Sequence, residues 1–219
     1  MTKIESQGNL FVVAAPSGAG KTSLVKALID SSNNIEVAIS HTTRIKRDGE
    51  SDGVNYYFVS QNDFLALQQK EEFAEFAEVF GNYYGTSRSE IERITSKGRD
   101  IVLEIDWQGA DQIRSKMSDA RTIFILPPSM HELNSRLHGR GQDDSDTISA
   151  RMAEAIDEIS HHHEFDYIVI NDNFDEALSD LKRLIQGNGE DLRLEASQEK
   201  LTPLLRGLLP GGFLLAKVI

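Results

Sequence analysis

The sequence predicts an α/β fold in which helices flank a parallel β-sheet. Short apolar runs alternate along the chain with segments that place apolar residues at helical spacing. The apolar runs lack the polar alternation of half-exposed strands, which is typical of strands that helices cover on both faces. A loop rich in small residues joins the first apolar run to the first helical segment. Strand, loop and helix therefore follow each other in the order that a parallel sheet with a ligand loop requires.

Five apolar segments are the predicted strands of this sheet. Each is short and contains β-branched or aromatic residues. The segments are FVVAA (11–15), VAIS (37–40), IVLEID (101–106), TIFIL (122–126) and DYIVIN (166–171). The chain of 219 residues suits one such domain with inserted subdomains, or two small domains.

The first interruption of the alternation covers residues 40–97, between the second and third predicted strands. It is rich in aromatic and β-forming residues, in the segments YYFVS, EFAEVF and NYYGT. Ser60 with Asp63, and Ser87 with Glu90, have the spacing of helix N-caps. These features predict a small α+β insert.

The second interruption, about residues 129–161, has the pattern of two helices around a loop. Ser129 and Glu132 form a capping box at the first helix, and GRGQDDSD (139–146) is the predicted loop. The apolar face of the second helix consists of Ile148, Met152, Ala155 and Ile159. The arginines of the pair are Arg136, Arg140 and Arg151. We expect this helix pair to be a lid.

The predicted domain spans residues 8–187. Its core consists of residues 8–39, 98–128 and 162–187, and its last helix ends at Gly187. Residues 188–219 follow as a C-terminal helix, weakened by Pro203, and an apolar end whose role the sequence leaves open.

Composition and charge exclude several classes of protein. The formal net charge is −12, which argues against a dedicated nucleic-acid binder because such proteins collect lysine and arginine. The chain has no cysteine, which excludes disulfides, zinc–thiolate sites and a cysteine nucleophile. It has no signal-like segment and no apolar run of membrane-spanning length, so we expect a cytoplasmic protein without a membrane partner. The oligomeric state stays open.

The chemistry of the sequence is concentrated in AAPSGAGKTS, residues 14–23. This stretch follows the phosphate-loop pattern G-x-x-x-x-G-K-[ST], except that Ala15 replaces the first glycine. Backbone N–H groups of Ser17–Gly20 and the helix N-terminus would form an anion nest. Lys21 would reach the β- and γ-phosphates, and Thr22 would bind Mg²⁺. The alternative, a tight turn beside a solvated lysine, does not account for the strand and the helix that flank the loop.

Two further motifs carry charged side chains. SHTTRIKR (40–47) places Arg44 and Arg47 three residues apart, and arginine pairs bind phosphate in a bidentate manner. A solvated basic turn is the alternative for this run. EIDWQG (104–109) puts carboxylates at the carboxyl end of a strand, where open α/β sheets bind ligands. Its D-x-x-G pattern also occurs in GTPases, but no N-K-x-D guanine motif follows.

His161–His163 is the candidate for a metal site. Adjacent histidines do not share one face of a helix, so three in a row cannot all reach one ion from a helix. We favour the end of a helix, where histidine complements the helix dipole.

Eight segments together resemble guanylate kinase of the bacterial type. In chain order they are SGAGKTS, SHTTR, DGVNYYFVS, AEVFGNYYGTSR, EIDWQG, FILPPS, RLHGRG and IVIND. The resemblance covers about residues 8–186 and implies the P-loop NTPase-type fold of nucleoside monophosphate kinases, a five-stranded parallel core with a GMP-binding insert and a helical lid. It also implies the Mg²⁺-dependent transfer of the γ-phosphate of ATP to GMP, giving ADP and GDP, in purine nucleotide metabolism.

The resemblance implies a role for each matching residue. GMP would be bound by Ser40, Arg44, Arg47, Tyr56, Glu75, Tyr84, Thr86 and Asp106, with Glu75, Thr86 and Asp106 on the guanine base. ATP would be bound by Ala15, Pro16, Ser17, Gly18, Ala19, Gly20, Lys21, Thr22 and Asn171. The catalytic residues would be Lys21, Arg44, Arg136, Arg140 and Arg151. Thr22 would hold Mg²⁺ together with phosphate oxygens and water.

Three residues depart from the family pattern, and two other functions stay open. Ala15 replaces a glycine, which is tolerable if that position needs no positive φ. Lys46 replaces a common proline before Arg47, and Glu104 replaces a common aspartate. The alternatives are a kinase for another nucleoside monophosphate and a non-catalytic guanylate-kinase-like module that binds proteins. The phosphate loop argues against the module, because such modules typically lose it.

Overall fold

The structure is a computed structural model that describes residues 7–79, 81–138 and 145–209. Its strands are β1 (Leu10–Ala14), β2 (Ile35–Val37), β3 (His41–Thr42), β4 (Tyr57–Phe58), β5 (Phe73–Val79), β6 (Asn82–Ser87), β7 (Asp100–Glu104), β8 (Arg121–Leu126) and β9 (Tyr167–Ile170). Its α-helices are α1 (Lys21–Asp30), α2 (Gln61–Gln69), α3 (Arg88–Thr95), α4 (Trp107–Lys116), α5 (Met130–His138), α6 (Ser145–Ser160), α7 (Phe174–Ile185) and α8 (Leu194–Leu208).

The strands form two sheets. A five-stranded sheet has the order β2-β7-β1-β8-β9, and a four-stranded sheet has the order β4-β3-β6-β5. In the first sheet β2 runs parallel to β7, and β8 runs parallel to β9. In the second, β3 is parallel to β4 and antiparallel to β6, which in turn is antiparallel to β5. The helices that separate the strands of the first sheet make the parallel pairing possible, as the sequence predicts.

The chain divides into two compact units. Unit 1 holds the described residues up to Val12 together with Ser32–Ala120. Unit 2 holds Val13–Ser31 and the described residues from Arg121 onward. The boundaries drawn from the sequence, with an insert at 40–97 and a lid at about 129–161, stay predictions.

Unit 1 has an aromatic core beside its four-stranded sheet. The Phe64 ring of α2 stacks on Phe73 of β5 and on Tyr83 of β6, at centroid distances of 4.5 and 5.4 Å. Phe64 is fully buried, and Gly85 of β6 lies directly against both phenylalanine rings. The small residue on the middle strand therefore makes room for large rings from its neighbours.

Helix α4 packs along β5, which is an edge strand of the four-stranded sheet. The Gln112 side-chain amide donates to the Phe76 carbonyl (2.6 Å) and accepts from the Phe76 N–H (3.2 Å). The Lys116 ammonium donates to the Ala74 carbonyl (2.8 Å). Side chains of α4 thus satisfy backbone groups that an edge strand would otherwise leave unpaired.

Unit 2 is built on the β8–β9 pair. Residues 122–126 of β8 are fully buried, and α7 and α8 pack against β9. Helix α7 also packs on α1, and α5 packs on α6. The Asn173 side chain caps α7 by accepting from the N–H groups of Asp175 (2.9 Å) and Glu176 (3.2 Å). The helix that begins there ends at Ile185, two residues before Gly187, whose φ is 79°.

The predicted helix starts are confirmed. The Ser60, Ser87 and Ser129 hydroxyls accept hydrogen bonds from the backbone N–H groups three residues later, at 3.1, 3.2 and 3.0 Å. In α6, Ile148, Ala155 and Ile159 are buried and Met152 is partly buried, which confirms its apolar face. Helix α6 begins at Ser145, so the predicted loop 139–146 is wrong for its last two residues; its residues 139–144 lie outside the described part of the chain.

The predicted strand at 37–40 is wrong in its position. Strand β2 ends at Val37, and only the Ala38 N–H still reaches its neighbour, at the Val102 carbonyl (2.9 Å). The next N–H, of Ile39, donates to the Glu90 carboxylate (3.1 Å). A side chain from α3 therefore replaces the strand partner and ends the ladder.

Among the described residues, no helix combines the length and the apolar character that a membrane span requires.

Candidate functional site

The phosphate-loop residues of unit 2 lie between β1 and α1, as the sequence predicts. Gly18 and Gly20 have φ values of 91° and 93°, in the left-handed region that favours glycine. The Ala19 N–H donates to the Pro16 carbonyl (3.0 Å) and closes a turn. Ala15 is buried and has no positive φ, since Glu71 is the one non-glycine residue of the described chain that does. Alanine at position 15 therefore costs the loop no backbone strain.

Two other elements of unit 2 hold this loop. Asn171, which follows β9, donates from its side-chain amide to the Ala19 carbonyl (2.7 Å). A Cβ atom on Gly20 would lie 2.4 Å from the same amide nitrogen, so this position has no room for a side chain. Leu133 and Leu137 of α5 pack against Gly18. The loop conformation is thus fixed by packing as well as by its own glycines.

Lys21 and Thr22 are the first two residues of α1, directly after Gly20. The N–H groups at a helix start and the helix dipole favour an anion at this point. Lys21 adds a positive charge beside it. The Thr22 hydroxyl is a hard oxygen ligand next to where phosphate oxygens would lie, and Mg²⁺ is commonly bound by such a combination. The residues present therefore fit a magnesium–nucleotide complex.

The predicted lid arginines differ in what surrounds them. Arg136, in the last turn of α5, donates from Nη2 to the Asn171 carbonyl (3.1 Å) and from Nε to Glu132 (2.9 Å). The structure thus brings Arg136 and Asn171 together beside the phosphate loop. Arg151 lies in the second turn of α6. Arg140 lies outside the described residues.

In unit 1, a buried carboxylate is the centre of a second candidate site. Glu75 is 2% exposed, and its Oε1 accepts from the Thr86 N–H (2.8 Å). The Thr86 hydroxyl is buried and hydrogen-bonds the Ser40 hydroxyl (2.9 Å). The register of β5 against β6 shifts between Phe73 and Glu75, and such irregularities commonly redirect a side chain beside a functional site.

Asp106 and Gly109 complete this part of the site from the start of α4. Asp106 is the N-cap, and its Oδ1 accepts from the Gly109 N–H (2.8 Å). A Cβ atom on Gly109 would lie 2.6 Å from Glu75 Oε2. The bare backbone at Gly109 is therefore what lets the Glu75 carboxylate approach the helix start. The predicted base-reading residues Glu75, Thr86 and Asp106 lie together.

Burial, opposed by the Thr86 hydrogen bonds and aided by the nearby Asp106 carboxylate, raises the pKa of the Glu75 carboxyl to about 7. A buried acid whose pKa is shifted in this way is expensive to ionise and is characteristic of functional sites. Its oxygens are suited to a ligand that presents hydrogen-bond donors.

A cationic cluster lies on the same side of β6, because Tyr84 and Thr86 are two residues apart on that strand. Arg44 forms a bidentate pair with Glu50, with Nη–Oε distances of 2.7 and 3.1 Å. This pairing raises the pKa of Arg44. Its guanidinium also lies 5.5 Å from the centre of the Tyr56 ring, and that ring is 6.0 Å from the Tyr84 ring.

Arg47 and the tyrosine hydroxyls complete the cluster. The Arg47 N–H donates to Glu50 (2.8 Å), and its side chain is exposed. Burial, aided by the Glu104 carboxylate, raises the pKa of the Tyr56 hydroxyl to about 12. Tyr56 therefore remains a hydrogen-bond donor throughout the physiological pH range. All the residues predicted to bind the phosphate of a mononucleotide, from Ser40 to Tyr84, belong to unit 1.

The sequence interpretation missed four residues that position the site side chains. Glu50 orients Arg44, Gly109 admits Glu75, Gln112 braces β5, and Glu158 of α6 accepts from the Ser17 N–H (2.9 Å). Only the D-x-x-G spacing hinted at Gly109. The other three act across loops or between elements that are distant in sequence.

The three consecutive histidines form a 3₁₀ turn, His161–Glu164, after α6. The Nδ1 atoms of His162 and His163 lie 2.8 Å from the carbonyls of Ile159 and Ser160, and His161 pairs with Glu164 (2.7 Å). His162 and His163 thus contact carbonyls at the end of the preceding helix, which confirms the interpretation as a helix terminus. Within the described ranges, no cluster of three or more histidine or acidic residues could hold a metal ion.

Comparison with known proteins gives one consistent result. The family model for guanylate kinase matches residues 7–188. The chain is 52% identical over 204 residues to the guanylate kinase of Hahella chejuensis, covering 93% of this chain and 97% of that protein. It is 52% identical over 206 residues to the guanylate kinase of Salmonella typhimurium, covering 93% and 99%.

A solved structure supports the same likeness. The crystal structure of guanylate kinase from Anaplasma phagocytophilum has a TM-score of 0.70 and 33% identity, covering 90% of this chain and 96% of that one. The P-loop NTPase-type α/β fold predicted from the sequence is thereby confirmed.

Proposed function

Because the chain belongs to the guanylate kinase family, we propose that unit 2 binds ATP, that unit 1 binds GMP, and that the enzyme transfers the γ-phosphate between them. The products are ADP and GDP. The observation that carries the choice of GMP is the buried Glu75 carboxylate, set between Thr86 and the start of α4. We also propose that the protein is cytoplasmic, as we expect from its sequence.

Guanine is the base that fits Glu75. Its N1–H and N2 amine are adjacent donors, and a carboxylate offers two acceptor oxygens. Adenine has an acceptor at N1 and no amine at C2, so it would offer the ionised carboxylate no hydrogen-bond donor. A buried polar group without its partner costs about 1–3 kcal/mol, and more when it is charged. Asp106 adds a further acceptor beside the amine. The Thr86 hydroxyl, which hydrogen-bonds the Ser40 hydroxyl, would turn to donate to the guanine O6.

The raised pKa of Glu75 links base binding to proton release. At about pH 7 the ligand-free carboxyl is roughly half protonated, and the protonated form donates from one oxygen. A base edge with two donors favours the ionised form, so GMP lowers this pKa when it binds. We expect the affinity for GMP to fall as the pH drops below about 7.

The phosphate of GMP fits the Arg44 cluster. Glu50 holds the guanidinium of Arg44 over the Tyr56 ring, so this cation is already oriented. Arg47 is exposed next to it, and the hydroxyls of Tyr56 and Tyr84 add donors. Because the acceptor phosphate is mostly dianionic at neutral pH, it needs cations to offset its charge more than it needs a general base.

The ATP phosphates fit the loop of unit 2. The Gly18 and Gly20 N–H groups and the start of α1 would form the anion nest, whereas the Ser17 and Ala19 N–H groups donate to Glu158 and to the Pro16 carbonyl. Lys21 would balance charge on the transferred phosphoryl group. Thr22 would hold Mg²⁺, which supplies positive charge to the phosphate oxygens. Arg136 and Arg151 are the cations of the lid helices. Catalysis then rests on positioning and charge, which agrees with the side chains that this chain provides.

A coupled assay of ADP release tests the proposal. Purified protein with ATP and MgCl₂ receives GMP, dGMP, AMP or UMP as acceptor. We expect kcat/KM for GMP to exceed that for AMP by about 10⁴-fold, because the site would leave buried acceptors unpaired with adenine. Faster turnover with AMP or UMP would assign another monophosphate, and ADP release with none of them would favour the binding module.

A further inference from the structure

The phosphate loop is held by a residue of α6 that the family pattern of the loop does not include. The Ser17 backbone N–H donates to the Glu158 carboxylate at 2.9 Å, across 141 residues of sequence. Glu158 is partly buried and lies between the fully buried Ala155 and Ile159 of the same helix. Resting on the function proposed above, we infer that Glu158 is a positioning residue, which fixes the phosphate loop and the rotation of α6 at once.

The turn geometry explains why Ser17 needs such a partner. Pro16 to Ala19 form a turn that the Ala19 N–H closes, with Gly18 at positive φ in its third position. In a turn of this kind the N–H of the second residue points away from the turn and has no partner within it. Ser17 is that residue. The Glu158 carboxylate satisfies its N–H, and a hydrogen bond to a charged group is stronger than one between neutral groups.

The contact also defines which face of α6 is directed at the loop. Arg151 and Glu158 are seven residues apart on this helix. Seven residues complete almost two turns, so the two side chains share a face within roughly 20° and stand about 10 Å apart along the axis. Fixing Glu158 on Ser17 therefore fixes the direction in which Arg151 projects. Glu158 acts on the phosphates through Arg151 and through the loop.

Charge alone would argue against a carboxylate at this place. A negative side chain near bound phosphates opposes ATP binding, by an amount that depends on distance and on the local dielectric. The alternative is therefore that Glu158 imitates a phosphate and competes with ATP for the loop. The two interpretations predict opposite signs for the same substitution, so one set of variants separates them.

The test uses Glu158→Ala, Glu158→Gln and the control Asp157→Ala, whose side chain is exposed on the same helix. We expect Glu158→Ala to lower kcat about 10-fold and to raise KM for ATP, with KM for GMP unchanged, since a 1.4 kcal/mol loss is tenfold. Glu158→Gln keeps an acceptor oxygen and should recover most of the loss. Asp157→Ala should match the unsubstituted enzyme.

A double-mutant cycle tests the route through Arg151. If Glu158 orients Arg151, then Arg151→Ala combined with Glu158→Ala should lower kcat little more than Arg151→Ala alone. Fully additive losses would overturn this route. A lower KM for ATP with unchanged kcat in Glu158→Ala would overturn the positioning role altogether and favour competition.

Amide hydrogen exchange gives a readout that does not depend on activity. The Ser17 N–H should exchange faster in Glu158→Ala than in Glu158→Gln or in the unsubstituted protein. Equal exchange in all three would mean that the contact does not hold the loop. This measurement remains decisive if the protein phosphorylates no nucleotide at all, so failure of the proposed function and failure of this inference are distinguishable. If Glu158→Ala does not fold, the exchange rate of the Ser17 N–H in Glu158→Gln is compared with that in Glu158→Leu, which tests the same contact.

Discussion

The phosphate loop of unit 2 and the Glu75 site of unit 1 are suited to recognise their ligands by different means. The loop offers backbone N–H groups, whose directions follow from two glycines at positive φ and from the start of α1. The Glu75 site offers side chains from β5, β6 and α4, and these side chains meet only after the strands have paired. The loop contains no buried acid, whereas the other site contains one that is 2% exposed.

This difference indicates where each site is vulnerable. Truncating a side chain does not remove a backbone donor, so the loop is most sensitive to loss of the cation beside those donors. A buried acid can be neutralised by one substitution or by one proton, so the Glu75 site is sensitive to pH and to small changes in packing. Substitutions in each site test that contrast.

Lys21→Met tests the loop. We expect kcat to fall about 10³-fold, as when a transition-state donor is removed, while KM for GMP stays nearly the same. The reason is that Lys21 balances charge that develops on the transferred phosphoryl group. Steady-state kinetics measure the effect, and Lys26→Met is the control, since Lys26 lies on the same helix and is 74% exposed. Near-normal turnover of Lys21→Met would refute the role.

Glu75→Gln tests how far the buried acid lowers the stability of the folded chain. The pKa of Glu75 is about 7 in the folded chain against 4.5 for the free side chain. Between those values the unfolded chain ionises while the folded one keeps its proton, so folding stability falls as the pH rises through about 7. The side chain of the glutamine variant does not titrate. Its free energy of unfolding, relative to that of the unsubstituted protein, should therefore rise by up to about 3 kcal/mol between pH 4 and pH 8.

Denaturant unfolding of the ligand-free protein measures this gain at a series of pH values. Glu78→Gln is the matched control, because Glu78 is an exposed glutamate on the same strand. The idea fails if the stability difference between Glu75→Gln and the unsubstituted protein is independent of pH.

The same substitution tests base choice. Glu75→Gln keeps the size of the side chain but turns one acceptor into a donor. We expect the GMP-over-AMP ratio of kcat/KM to narrow about 30-fold, which corresponds to one charged hydrogen bond of about 2 kcal/mol. KM for ATP should not change, because the loop belongs to the other unit. An unchanged ratio would move base recognition away from Glu75.

Gly109→Ala tests packing at the start of α4. The added methyl group would lie 2.6 Å from Glu75 Oε2, so the carboxylate must move. We expect KM for GMP to rise about 10-fold, within the 1–3 kcal/mol typical of overpacking, with kcat at saturation largely kept. Gly207→Ala is the control for the same change inside a helix, since nothing lies within 4 Å of that position. If Gly109→Ala binds GMP normally, the close approach is not needed.

The sequence predicts the loop and the helix caps well because each depends on residues that are neighbours in the chain. The Ser60, Ser87 and Ser129 caps each need one hydroxyl and one N–H three residues away. The glycine pattern likewise specifies its own φ values. Strand β2 is predicted in the wrong place because Glu90, from another element, takes the Ile39 N–H.

The supporting contacts could not be predicted because they depend on tertiary pairing. No local pattern relates Glu158 to Ser17, or Gln112 to Phe76, because the partners are 141 and 36 residues apart. Glu50 is close to Arg44 in sequence, but a turn of any other type would direct it elsewhere. The family resemblance identifies the candidate ligand-binding residues, whereas the structure adds the residues that orient them.

The Gln112 amide on Phe76 has a consequence for how molecules of this protein behave toward each other. An open strand edge is a template on which another chain can add a strand, and proteins with such edges tend to aggregate. On β5 the side chains of Gln112 and Lys116 occupy the outward backbone groups of Phe76 and Ala74. Helix α4 therefore has a protective role in addition to carrying Asp106, because it keeps the strand that bears Glu75 from becoming a seed for intermolecular sheet growth.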